Sequence, residues 1–435
     1  MENTLPSIPP VPWSWGRKVS FRFFFVFFGL FVFPFPLSMI PGVANITDPY
    51  FQFWTWLIGI VGKNILGIQQ ELTLTFSGSG DKLYDWVQYF TTLLLAVLAT
   101  IIWTLLDRNR PSYNKLNRWF LLFLTYYLAY YLFVYGIIKL FYLQFLPPNL
   151  ERLFQTVGQI SPMRLLWTFM GFSEPYTMFS GACETLAGLL LVFRRTRTLG
   201  GLVAFGVMLN VFMLNMSYDV PVKLFSFQLM IMGLFIAMQD FRRLVNFFVL
   251  NKTVPPADHK GIFNNQTGRI ITVSIQALLV GFFIINMAVS SNQNRKNYGP
   301  ERERSPLYGV YNVETFVLNN DTLAPLLTDS VRWRRLLIDY PDFVSAIYMN
   351  DQIQRYNTEL DTLAQQFTFT VGQDTTNKYV MSYEKIDQDL KMSGVLEGDT
   401  VQIDMKYYDL KNFGLLNRGF NWVNEVPYNR YNYDQ

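Results

Sequence analysis

Apolar residues are not spread evenly along this chain. Up to Ser290 they gather in runs of about 18–28 residues, the length at which a helix crosses a lipid bilayer. Beyond Ser290 the pattern becomes short alternating runs broken by polar turns. The long runs predict seven membrane spans, at about 17–41, 84–106, 119–145, 174–193, 198–217, 222–238 and 269–290. Residues 50–66 (YFQFWTWLIGIVGKNIL) are too short to cross comfortably, and Trp54 and Trp56 suit the headgroup level, which predicts an interfacial or re-entrant helix. ELTLTF (Glu71–Phe76) alternates like a short strand. The Pro-rich residues 1–16 predict an irregular cytoplasmic tail, and 291–306 a polar linker.

The final region, 307–435, predicts a small antiparallel β-sandwich or barrel. SGVLEGDTVQIDMKYY fits a hairpin turning at Glu397–Asp399. The architecture expected is therefore a polytopic helical membrane domain over 17–290 followed by an outer β domain. Arg and Lys set its orientation. Arg17, Lys18, Arg22, Arg108, Arg110, Lys115, Arg118, Arg194, Arg195, Arg197, Arg242 and Arg243 fall in alternate loops, and the intervening loops hold few cations. The positive-inside rule then puts the N-terminus in the cytoplasm and the β domain outside. The location expected is a bacterial inner membrane.

Composition narrows the chemistry. Charged residues make up 16% of the 435, and the net charge of +4 with no basic helix argues against a nucleic-acid partner. Cys183 is the single cysteine, so no intrachain disulfide can form, and an isolated thiol in a helix reads as packing. His259 is the single histidine, which excludes His-based triads and multi-His metal sites; no metal is expected.

Ionisable groups inside the apolar runs stand out, because each costs about 2.5–3.5 kcal/mol at the bilayer centre. Glu184 lies about 15 Å into its span at 1.5 Å per residue, near the midplane, as does Asn210. Lys139 sits toward the outer leaflet of the third span. Tyr127, Tyr131, Tyr135 and Lys139 recur every four residues and share a face. Gly181, Glu184 and Gly188 share another, which lets a neighbouring helix approach beside the carboxyl. Asn215, Asp219 and Lys223 crowd the outer ends of spans five and six. These residues describe an outward-opening polar pocket with aromatic walls suited to a flat apolar ligand such as a quinone. In it Lys139 acts as base or anion partner, Glu184 as proton carrier, and Tyr135, Asn210, Asn215, Asp219 and Lys223 as binding groups. The same residues also fit an internal Lys–Glu pair that only locks helices together.

The G-x-x-E-x-x-x-G-L-L-L pattern (Gly181, Glu184, Gly188, Leu189–Leu191), followed by a basic turn and Thr-Leu-Gly, resembles the DoxX superfamily of small four-helix membrane proteins over about 80–250. With SGSGDKLYDWV, WTFMG, NMSYDVPVKL and NRGFNWVNEVPYNR, the wider chain is similar to DoxX-like proteins of Bacteroidota envelopes. Gly136-x-x-Lys139 and Asn210 resemble the membrane half of vitamin K-dependent γ-carboxylases, where that lysine is a base acting on a reduced quinone. The two resemblances jointly imply quinone-linked chemistry, with menaquinone or ubiquinone as the group taken, in an oxidoreductase or a subunit of one. The competing expectation is non-enzymatic: an outer β domain that binds an envelope protein or lipid, with the helices as anchor.

Overall fold

The computed structural model describes residues 12–37, 40, 42–72, 80–254, 266–372 and 378–423. The expected tail up to residue 11, the strand at 73–76, His259 and the aromatic close beyond 423 lie outside them. The chain divides into two compact units, one of residues up to 145 with 162–293, the other of 146–161 with 294 onward.

The first unit is helical: α1 (Trp15–Val32), α2 (Ala44–Asn64), α3 (Leu83–Leu106), α4 (Asn114–Leu140), α6 (Pro162–Phe172), α7 (Glu174–Val192), α8 (Arg197–Ser217), α9 (Lys223–Met238), α10 (Phe241–Phe248) and α11 (Gln266–Asn297). Among the described residues four helices, α3, α4, α8 and α11, are long and apolar enough to cross a membrane; α9 with α10, bent by 77°, makes a fifth if the pair is one span. The remaining expected crossings, α1 and α7, are helices of 18 and 19 residues that carry charged groups, Arg17, Lys18 and Arg22 in one and Glu174 and Glu184 in the other. α2 is 21 residues, longer than the apolar run suggested, because it begins at Ala44 and passes through Pro49. α11 runs on to Asn297, through the start of the expected linker. That polar stretch, 291–297, holds neither Gly nor Pro, and the helix stops just before Gly299-Pro300.

The core of this unit is aromatic. Phe21 stacks on Tyr113 at 5.2 Å and Phe120 meets Phe25 at 4.9 Å. Arg22, 1% exposed, is held without a direct carboxylate contact among the described residues: its guanidinium donates to the Tyr113 hydroxyl, to Thr104 Oγ1 and to the Asp107 carbonyl. The hydroxyl of Tyr113 in turn donates to Asp107 at 2.8 Å, which holds that carboxyl below the usual carboxylate range. Lys18 Nζ to the Arg110 carbonyl, Asn117 to Gln239 and Thr198 to Asp240 tie further helix ends to this same end of the bundle. The basic residues of alternate loops are thus gathered in space as well as in sequence.

The second unit is a barrel of β1 (Gly309–Leu318), β3 (Trp333–Tyr340), β4 (Phe343–Tyr348), β5 (Ile353–Asp361), β6 (Gln366–Val371), β7 (Tyr379–Ile386), β8 (Asp389–Leu396) and β9 (Asp399–Tyr408), with β2 (Asp321–Thr322) a short arm on β1. Every neighbour is antiparallel, and β1 also pairs with β9 from Val310↔Tyr408 to Leu318↔Val401, which closes eight strands. At eight strands the interior is just wide enough for side chains to fill. Val401, Ile403 and Met405 alternate into it with Leu390 and Met392 opposite. The β8–β9 turn at Glu397-Gly398 has both residues at positive φ, 54° and 96°, as two-residue hairpins require.

β3 and β4 are buried on both faces, unlike β9. Their outer face is covered by the short helix α5 (Leu150–Phe154), whose Leu150 packs with Val310, Leu337 and Ile347. Glu151 is buried there, accepting from Arg355 Nε at 2.9 Å and Nη2 at 2.5 Å and from Ser345 Oγ. The Leu150 N–H and Arg304 Nη1 both donate to Asp339. Burial pushes the Asp339 carboxyl up, and Arg304 draws it back. We expect Glu151→Ala to free this segment from the barrel at a cost of about 1.5 kcal/mol, the low end for charge-assisted bonds because Arg355 is half-exposed and can hydrate. Faster amide exchange across 146–161 with unchanged exchange in β6–β8 is the signature; unchanged protection of the segment would mean the apolar contacts alone hold it.

Candidate functional site

Lys139 and Glu184 meet because two glycines let their helices touch. A Cβ on Gly136 of α4 would lie 2.9 Å from the Gly181 carbonyl oxygen; one on Gly181 of α7 would lie 2.7 Å from Lys139 Cβ. Only hydrogens fit there, so α4 and α7 cross backbone to backbone, as small residues allow between membrane helices. Three residues further along each helix, Lys139 Nζ donates to both Glu184 oxygens at 2.7 Å. The two residues are 5% and 2% exposed.

The rest of the expected stripe forms as spaced. Tyr127 and Tyr131 rings are 4.9 Å apart, Tyr131 and Tyr135 stack at 6.5 Å, and Lys139 Nζ lies 5.7 Å from the Tyr135 centroid. Tyr131, Tyr135 and the ion pair line a cavity of about 310 Å3. Its other walls are Phe145, then Met163, Trp167 and Met170 of α6, Asn210 and Asn215 of α8, and Phe225 and Ser226 of α9. Asn215 is buried and donates to Ser226 Oγ at 3.0 Å. Asn210 lines the cavity from an exposed position.

Asp219 and Lys223 do not line the cavity. Asp219 leaves the helix at φ 51°, its side chain is 84% exposed, and it pairs with Lys223 at 2.8 Å. The physical reason is Asp81, which the sequence pattern did not bring forward. Its carboxylate accepts the backbone N–H groups of Lys223 and Leu224, at 2.5 and 3.0 Å, and so caps α9 from 142 residues away. Lys223 is drawn to that cap and away from the cavity.

Sequence reasoning also missed Gln144. α4 ends with Tyr142 in the left-handed region at φ 56°; the Tyr142 N–H returns to the Lys139 carbonyl and the Leu143 N–H to Ile138. This reversal, normally made with glycine, turns the chain back over its own helix end. The Tyr142 hydroxyl donates to the Gly171 carbonyl and pins α6 beside it. Gln144 and Phe145 are thereby folded into the cavity wall, where Gln144 Oε1 is buried with no partner among the described residues. Period-four spacing carries no trace of a residue placed by a helix reversal.

The site therefore offers an ammonium, a carboxylate, three amides and aromatic faces in an otherwise apolar cavity. Lys139 spends two of its three N–H bonds on Glu184 and has one left. No group of His, Cys, Asp and Glu among the described residues could hold a metal ion.

Fold and site together define a helical unit with apolar helices of membrane length, a buried Lys–Glu pair at a cavity, and a closed eight-stranded barrel. No family model and no solved structure matches the chain. Among curated proteins it is similar to the uncharacterized protein YwoB of Bacillus subtilis (strain 168), 33% identical over 124 residues, which is 28% of this chain and 77% of that protein. Through that segment the chain belongs to the family of YwoB.

Proposed function

We propose that the protein is a seven-span inner-membrane protein of the DoxX-like type, a quinone-linked oxidoreductase or a subunit of one. The spans are α1, α3, α4, α7, α8, α9 and α11. The barrel lies outside the cytoplasm, an orientation supported by the basic residues gathered at the bundle end where α1, α4 and α8 begin. The observation that carries the functional reading is the buried Lys139–Glu184 pair in the wall of an aromatic-lined cavity. An ion pair in so apolar a setting rarely adds stability over packed apolar side chains, so its presence favours a functional role.

The residues fit a quinone ring. The cavity is at the lower end of the range of about 300–1,000 Å3 for small-molecule sites. That volume suits a head group, with any isoprenoid tail running out between helices. A bound quinone supplies two-electron, two-proton redox chemistry. Lys139, with its spare N–H, offers a donor to a ring oxygen. Glu184, shared with that ammonium, can take or return a proton as the charge beside it changes. The Asn215 and Gln144 amides position a second polar edge, and Tyr131, Tyr135, Trp167 and Phe225 exclude water. Electrons come from a partner of matching potential.

Trp167 reports on occupancy because it lines the cavity. A short-chain quinone titrated into the protein in nanodiscs is expected to quench fluorescence saturably in wild type, with the saturable component lost in Trp167→Phe. A purely linear quench in both would remove the reading. A second reading has its own observation: Phe420, Trp422 and Val423 after the barrel are 77%, 90% and 80% exposed. They suit an envelope protein partner, in which case deleting 306–435 abolishes function while Lys139→Met leaves it intact.

A further inference from the structure

At the opposite ends of α8 and α9 from the cavity mouth, α10 leaves α9 at 77° and runs across the bundle rather than along it. Between α10, the start of α8 and residues 251–254 lies an open cleft of about 890 Å3. Its apolar wall is Leu199, Leu244, Phe247 and Phe248, the last two 60% and 68% exposed. Its polar wall holds three cations, Arg195, Arg243 and Lys252, against one carboxylate, Asp240.

That carboxylate is already engaged. Asp240 Oδ2 accepts from the Thr198 hydroxyl and from Arg243 Nη1, the latter at 3.3 Å. Arg195 and Lys252 are left without a partner among the described residues. Arg243 keeps a buried Nε–H with no acceptor. Arg195 and Lys252 are exposed, so the cleft presents two cations with no protein anion paired to them among the described residues. Two cations in excess beside exposed phenylalanines call for a ligand that is anionic at one end and apolar at the other.

We propose that this cleft binds the phosphate headgroup of an anionic phospholipid. Arg195 and Lys252, both exposed, hold the phosphate oxygens, for which the planar guanidinium fork of Arg195 is well matched, and Arg243 adds its charge beside them. Phe247, Phe248, Leu199 and Leu244 take the glycerol backbone and the first methylenes of the acyl chains. The excess of two positive charges suits a singly charged phosphodiester or a doubly charged diphospholipid. The site shares no residue with the Lys139–Glu184 cavity and stands whether or not a quinone binds there.

The test uses the full-length protein in phosphatidylcholine nanodiscs doped with phosphatidylglycerol or cardiolipin, with bound lipid counted by native mass spectrometry. Wild type is expected to retain one anionic lipid selectively. Arg195→Gln/Lys252→Gln should lower that retention about thirtyfold, the product of two cations near a lipid surface. Arg108→Gln/Lys115→Gln, which removes the same charge elsewhere at that end, should leave it unchanged. Equal retention in all three proteins, or an equal loss in both double variants, would overturn the proposal. Displacement of the lipid by millimolar inorganic phosphate would overturn it too, and assign the cleft to a soluble phosphate instead.

Discussion

Glu184→Ala is expected to destabilise the helical unit by about 3–5 kcal/mol, because it leaves the Lys139 ammonium buried with no counter-charge. The cost comes from the stranded charge rather than from the lost attraction. Lys139→Met/Glu184→Leu, which removes both charges and keeps the volume filled, should therefore recover most of the loss. Denaturation of the three proteins in the same nanodisc preparation separates the two terms. A single variant as stable as wild type would mean that water or lipid headgroups reach the pair, against its 5% and 2% exposure.

The second large effect concerns Gly181. In Gly181→Val the new Cβ would begin 2.7 Å from Lys139 Cβ and 2.9 Å from the Leu140 nitrogen, with backbone rather than a flexible side-chain end on one side. α4 and α7 must separate, at a cost of about 1–3 kcal/mol for overpacking, and the ion pair lengthens with them. Gly206, in α8, is the control: a Cβ there meets nothing within 4 Å, so Gly206→Ala should be neutral or gain up to about 1 kcal/mol of helix propensity. Similar melting temperatures for the two variants would show that the helix crossing tolerates separation.

The ion pair was legible in the sequence for a definite reason. Lys139 and Glu184 each lie three residues beyond a glycine on a helical face, and both signals survive in periodicity alone. The barrel was legible as a β domain from its alternation and from the Glu397-Gly398 turn. Its closure was not, because β1 pairing with β9 is a contact across about a hundred residues with no local mark. Asp81 over the start of α9 and Glu151 under Arg355 were hidden for the same reason, each being satisfied by a partner far along the chain, and Gln144 was hidden because a helix reversal places it in the cavity wall. Asp219 and Lys223 stand off the cavity. The i, i+4 spacing placed Asp219 with Asn215 only if the helix continued, and it ends at Ser217.

The measurement that bears most directly on the quinone site is mass spectrometry of what co-purifies with the protein in native nanodiscs, comparing wild type with Lys139→Met/Glu184→Leu. The stability comparison above shows first whether that variant is folded. Menaquinone or ubiquinone held by wild type and lost from the folded variant is the predicted result. Quinone at the same level as bulk membrane in both proteins would contradict it, and would leave Lys139–Glu184 as a lock between α4 and α7.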